Sequence, residues 1–357
     1  MTMILAISAG ELEMIRYAQR SKPRLQHRAD EGLGHLDVAY YRRALEEFGY
    51  VLRGLDYRSP ISVDEILAVF FLMVVYEHQF GRQMSEMEAH LRGLYAFLAT
   101  LFASNRDLTW TKLPSLSQQL LLFIMYINLN FSEPRYHGSL ARLWHEAGHG
   151  MSFVSVMDQL FHGSRGGLRN MWMPAYPTEE LIDDISVSRP LQFYHECNML
   201  KGRLLLEAYS QSGAPQCQNA WQQELQKLEK RYQDLLEIGR RPDVNMRKHE
   251  LQAIQFAVAE FHGLAVYTHE LLCSDGCQHQ GTWHHDTPDE TLLVLHRVLR
   301  YDKEMAVRIQ WPLLVIGKCK PPEVQELLLR ESIGEVLGSR GRFQHMGSLY
   351  SCDAQRS

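Results

Sequence analysis

Signals for starting and stopping helices recur along this chain, and signals for strands do not. No run alternates strictly at the two-residue period of a half-buried strand. No Asn-Gly or Asp-Gly hairpin signal sits between β-rich runs. By contrast, Ser62-Val63-Asp64-Glu65 and Ser85-Glu86-Met87-Glu88 both read as capping boxes. In each, a hydroxyl can accept from an amide three residues on while the Glu reaches back. Thr287-Pro288-Asp289-Glu290 adds a third start, with proline in the first turn. Only 13 of 357 residues are proline, so long helices can run without losing a backbone donor.

The periodicity fills in the elements. Leu36, Tyr40, Leu45, Phe48 and Leu52 place a helix over His35–Leu55. Ile66–Tyr76 is apolar all round and predicts a buried helix. Further helices are predicted from Ser85 to about Phe102, over Leu116–Phe131, within His137–His162, over Leu191–Tyr209, Trp221–Ile238 and His249–Leu272, from Thr287 to about Arg308, and over Val324–Leu337. Gly163–Gly167 and Trp172–Pro177 read as a loop and a connector, Cys273–Asp286 as a polar loop. No fixed-period repeat is present. The expectation is an all-α fold of about ten to twelve helices, irregular rather than solenoidal, in one large compact domain. Residues 1–34 form a basic arm, 35–337 the helical domain and 338–357 a Gly/Ser-rich flexible tail.

Composition narrows the function. Hydrophobic residues make up 45% and charged residues 22%, enough apolar material for a core. The net charge of −5 excludes a chain that coats nucleic acid with its whole surface. The exception is local: Arg16, Arg20, Lys22, Arg24, His27 and Arg28 stand together with no acidic neighbour between Ile15 and Arg28. Arg16, Arg20, Lys22, Arg24 and Arg28 would serve as a nuclear-import or phosphate-contacting arm; a solvated arm is the plainer reading. The longest apolar runs, Ile66–Tyr76 and Leu120–Ile127, fall short of the ~18–20 residues a membrane span needs. Met1–Gly10 has no basic leader, and an intracellular protein with no membrane partner is expected.

Two metal-like patterns require weighing. His145-Glu146-Ala147-Gly148-His149 has the spacing at which two helical His hold one Zn²⁺ while the Glu activates its water. With 17 His in the chain, chance alone gives roughly 0.06 such matches. The required third ligand is missing where extended forms place it: position 155 is Ser155, and no Glu lies between Glu146 and Glu179. Gly148 also loosens a helix that should be rigid. Cys273, Cys277, His279, His284, His285 and Asp286 are ligand types in one loop, but their spacing fits no regular zinc pattern. The expectation is no cofactor, no metal and no catalysis, with a zinc metallopeptidase on His145, Glu146 and His149 as the alternative. Phosphate-loop, dinucleotide and nucleophile-elbow motifs are absent. The stripes Phe70, Phe71, Met73, Tyr76 and Phe123, Met125, Tyr126 read as core, with an apolar pocket between them as the functional alternative.

The order of several short segments carries more. Val75-Tyr76-Glu77 ends an apolar helix, and Ala89-His90-Leu91-Arg92-Gly93 follows. Then come Ala175-Tyr176-Pro177, Asp183-Asp184, and Leu191–Leu206 with Tyr194-His195-Glu196-Cys197. Near the end stand Gln310-Trp311-Pro312-Leu313-Leu314-Val315-Ile316-Gly317 and an acidic helix with Arg330. This series, over roughly residues 36–337, resembles the helical regulatory domain of fungal binuclear zinc-cluster transcription factors. The resemblance implies an all-α domain, a nuclear location, and control of transcription. Its implied partners are other regulators or a second copy of the chain, a small-molecule effector, and DNA only indirectly or weakly. Family members usually read DNA through six closely spaced Cys. Here the Cys are Cys197, Cys217, Cys273, Cys277, Cys319 and Cys352, and none precedes Cys197. A regulatory module without its own zinc cluster is the expectation, and a helical scaffold unconnected with transcription is a further alternative.

Overall fold

A computed structural model describes residues 1–9, 36–54, 63–79, 84–105, 107–131, 152–165, 175–210, 218–241, 246–273, 293–295, 297–298, 309, 311–313 and 315. Among these residues every regular element is helical, as the all-α expectation requires. The main helices are α1 (Leu36–Gly54), α2 (Val63–Gln79), α3 (Met84–Ser104), α4 (Ser115–Phe131), α5 (Phe153–Ser164), α6 (Thr178–Ser210), α7 (Gln218–Arg231), α8 (Gln233–Arg240) and α9 (Lys248–Cys273). A 3-10 turn at Trp110–Lys112 leads into α4. No helix among the described residues is long and apolar enough to cross a membrane. The basic arm at 16–28, the capping residue Ser62, the Thr287 helix start, Val324–Leu337 and the tail 338–357 lie outside the described residues.

The described residues gather into two compact units. The first takes those of Met1–Ile127 and Asp158–Leu168. Here α2 buries Ile66, Leu67, Phe70, Met73, Val74 and Tyr76, and α3 lays Met87, Leu91, Leu94 and Leu98 into the core. Each such side chain contributes about 1.5–3 kcal/mol by leaving water. Phe48 of α1 meets Phe70 edge-on at 5.1 Å, and Phe70 reaches Phe97 at 6.1 Å. Gly93 lets α3 approach: a Cβ there would stand 3.5 Å from the Phe70 ring. Asp64 and Glu65 lie where the positive end of the α2 dipole favours them. Asp64 also accepts from the hydroxyl of Ser117, joining α2 to α4. The aromatic and methionine stripes are core at Phe70, Met73, Tyr76, Met125 and Tyr126, while Phe123 is exposed.

The second unit takes the described residues of Asn128–Met157 and Arg169–Val336. Its axis is the long α6 lying along α9, with α7 and α8 packed beside them. Two elements differ from the sequence expectation. The helix expected from Leu191 begins at Thr178 and runs through Pro190. Pro190 removes one amide donor and leaves the Ser186 carbonyl without its helical partner. Its ring is buried, which offsets part of that cost. The helix expected over Trp221–Ile238 is two, α7 and α8, divided at Tyr232. Tyr232 is buried, stacks on Phe193 at 4.4 Å and donates to Glu196 Oε1 at 2.8 Å. That docking of the ring onto α6 holds the chain at the break.

Candidate functional site

The residues singled out by motif lie mostly where no geometry is described. Arg16, Arg20, Lys22, Arg24 and Arg28, the trio His145, Glu146 and His149, and the loop residues Cys277, His279, His284, His285 and Asp286 are all outside the described residues. Cys273 is described only as the last residue of α9. No group of three or more His, Cys, Asp or Glu suited to a metal ion occurs among the described residues.

What the structure does bring together is a polar centre inside the second unit, built from four distant stretches of chain. Lys201 projects from α6 and is wholly buried. Its ammonium donates to Glu260 of α9, which is 1% exposed. It also donates to Asn130 Oδ1, at the end of α4, at 2.5 Å. Above it lies Trp311, with the nitrogen 4.0 Å from the ring centroid. Three donors of one ammonium thus meet a carboxylate, an amide and a π-face. Asn130 in turn donates to the Tyr194 hydroxyl at 3.2 Å. Tyr194 stacks on Phe256 at 4.3 Å, and Tyr267 meets Trp311 edge-on at 5.6 Å.

The helices place these groups by register. Tyr194, Cys197, Asn198 and Lys201 follow at three- and four-residue steps, so they share one face of α6. Asn198 keeps its side-chain amide on that helix by donating to the Tyr194 carbonyl at 2.9 Å. The approach is close because two glycines permit it. A Cβ on Gly202 would lie 2.3 Å from the Phe153 ring, and one on Gly263 would lie 3.0 Å from Pro312.

Burial sets the electrostatics. It draws the Lys201 pKa down, opposed by the charge and hydrogen bond of Glu260. It pushes the Cys197 thiol well above its usual value, reinforced by Glu260 and opposed by Lys201. It raises the Tyr194 phenol, with Glu260 adding to the rise and hydrogen bonds from Asn130 and Asn198 opposing it. Cys197 is therefore held as an inert thiol and Tyr194 as a neutral hydroxyl. What remains is a buried ion pair whose ammonium is held by Glu260, Asn130 and the face of Trp311.

The first unit has a smaller cluster. The Tyr41 hydroxyl lies 2.5 Å from His90 Nε2, and His90 lies 3.8 Å from the buried carboxylate of Glu77. Tyr41 stacks on Tyr76 at 4.1 Å. Burial and the adjacent Glu77 push the Tyr41 phenol far above its usual range, so it stays neutral.

Sequence reasoning missed both clusters as sites, although a signal was present for the larger. Lys201 interrupts the face of Phe193, Tyr194, Cys197, Leu204 and Leu205, and Glu260 interrupts Ala257-Val258-Ala259 and Phe261. Two opposite charges set singly into apolar helices point to a buried pair. Comparison with known proteins gives no match to a family model, to a curated protein or to a solved structure.

Proposed function

We propose that the chain is a helical regulatory module of fungal-type transcription control, acting in the nucleus through a partner regulator or a small effector and not by catalysis. One observation carries the reading. Two of the segments on which the family resemblance rests, Tyr194-His195-Glu196-Cys197 and Trp311-Pro312-Leu313, are far apart in sequence and meet at the Lys201–Glu260 pair. A buried, neutralised pair with an inert thiol beside it suits a module that binds and responds better than one that turns over a substrate.

The test is a reporter assay in fungal cells with the full chain fused to a heterologous DNA-binding domain and a fluorescent tag. The expected result is nuclear accumulation and altered transcription from the reporter. Exclusion from the nucleus together with an unchanged reporter would overturn the proposal and favour a scaffold unconnected with transcription.

A further inference from the structure

We propose that the outer face of the first half of α6, around Ile182 and Ile185, docks an amphipathic helix of a partner protein whose apolar stripe is edged by Lys and Arg. The proposal deepens the regulatory reading above by giving the partner's chemistry, and it rests on that reading for what the docking does.

The face is defined by register. Ile182, Ile185, Arg189 and Glu196 recur at three-, four- and seven-residue steps, so they share one side of α6. Towards the C-terminal end that side is covered. Glu196 accepts from Arg231 at 2.6 Å and from Tyr232 at 2.8 Å, and Arg189 forks onto Asp234, so the α7–α8 junction sits on it. Towards Thr178 the same side is open: Ile182 and Ile185 are 46% and 66% exposed. The helix is attached to the fold from another side, where Pro190 is buried and Asp183 accepts from Arg247, just before α9, at 2.7 Å. A single exposed Ile is ordinary, but two neighbours on a face whose continuation is covered by helices mark a docking surface. A helix laid on them would extend the cover that α7 and α8 already provide.

Charge selects the occupant. Glu180 and Asp184 stand one turn apart beside the patch, and both are exposed. Asp184 accepts from the Tyr176 hydroxyl, which leaves its negative charge in place. Arg189, the cation on this face, is matched by Asp234. The surface is thus apolar with a negative edge. Two copies of it laid together would bring their acidic edges into one interface, and like charges oppose that. A helix with Leu or Ile at three- and four-residue spacing and Lys or Arg beside them satisfies both the apolar centre and the edge.

The experiment measures fluorescence anisotropy of a labelled helical peptide of leucine and lysine against the full chain, with a leucine and glutamate peptide as the comparison. The lysine peptide should bind and weaken as salt rises, and the glutamate peptide should not bind. Ile185→Ser should weaken binding by about tenfold with circular dichroism unchanged. Glu180→Lys should weaken it by about fivefold, whereas Glu229→Lys, an equal change of net charge on α7, should not. No binding of the lysine peptide, equal binding of the glutamate peptide, or binding that Ile185→Ser leaves unchanged would each overturn the proposal. So would a dimer in sedimentation that Ile185→Ser dissolves, since a second copy would then cover the face. Binding that appears only when Arg16, Arg20, Lys22, Arg24 and Arg28 are replaced by Ala would overturn it too, by assigning the face to the chain's own arm. Failure here with an altered reporter in the fusion assay would leave the regulatory reading standing. Binding here with an unchanged reporter would do the reverse.

Discussion

Among the described residues, Lys201 and Glu260 depart from the rule that charge stays in water. Their signal in the sequence was the single charge inside each apolar run, but neither run names its partner. Pairing Lys201 with Glu260 requires knowing that α6 lies along α9, which is a fact of packing. Asn130 carried no signal, because an Asn at a helix end is ordinary, and Trp311 stood out only through the order of segments, with nothing to place it over Lys201. The energetic consequence is asymmetric. Removing one charge leaves the other buried and unpaired, and Lys201→Met or Glu260→Leu alone should each cost about 3–5 kcal/mol. The double variant Lys201→Met/Glu260→Leu should be more stable than either single one, because the two desolvation costs vanish together. Urea unfolding of the four proteins measures this. A double variant destabilised by the sum of the singles would show that the two residues do not act as a pair.

Most helices were legible, from their apolar pattern for α1, α4 and α9 and with a capping box besides for α2 and α3. The early start of α6 was hidden by Pro190, which reads as a stop unless the buried ring is seen. The break between α7 and α8 was hidden because Leu225, Leu228, Leu235 and Leu236 keep one register across Tyr232. Close approach between elements was hidden as well, since a glycine that admits a neighbour looks like any other. Gly202→Ala should destabilise by about 1–3 kcal/mol, because its Cβ would meet Phe153 at 2.3 Å. Phe153→Leu should restore part of the loss. Gly49→Ala is the contrast: its Cβ would meet nothing nearer than an Arg53 nitrogen at 4.0 Å, and it should stabilise by about 0.5–1 kcal/mol. Thermal melts of the three proteins decide between crowding and general helix propensity as the controlling effect.

A surface tie between α6 and α8 shows the same dependence on tertiary context. Arg189 forks onto Asp234 at 2.8 and 3.0 Å and lies over the Tyr232 ring at 5.2 Å. The hydrogen bond from Arg189 holds the Asp234 carboxyl below its usual pKa. A carboxyl depressed in the folded state adds stability above its unfolded pKa and loses it as pH falls through the folded one. Both side chains are about half exposed, so the contribution is about 0.2–1 kcal/mol. Asp234→Asn should therefore lower stability slightly at neutral pH, and the difference should close as the solution is acidified below the carboxylate range. A difference that persists in acid would assign the effect to packing.

At the scale of the whole molecule the all-α class was fully legible, because it needs only the absence of a two-residue period and the repetition of helix starts. The division into two units was not, since the first unit draws on Met1–Ile127 and again on Asp158–Leu168 with no change of composition between them. Charge is the whole-molecule property with the most direct consequence. A net −5 repels the phosphate backbone, and the densest run of cations without an acidic neighbour is that of Arg16, Arg20, Lys22, Arg24 and Arg28. If DNA is contacted, those five side chains carry the contact. Counterion release then limits the slope of log K against log salt to about −4.5 on duplex DNA. Replacing all five by Ala should bring the slope close to zero while leaving the helical circular dichroism unchanged. Fluorescence anisotropy with a labelled duplex across a salt series measures both slopes. Weak binding, indifferent to sequence and confined to low salt, is the expected outcome for a module that reaches DNA through a partner. Nanomolar, sequence-selective binding that outlasts the five replacements would instead assign a DNA-reading surface to the helical units themselves.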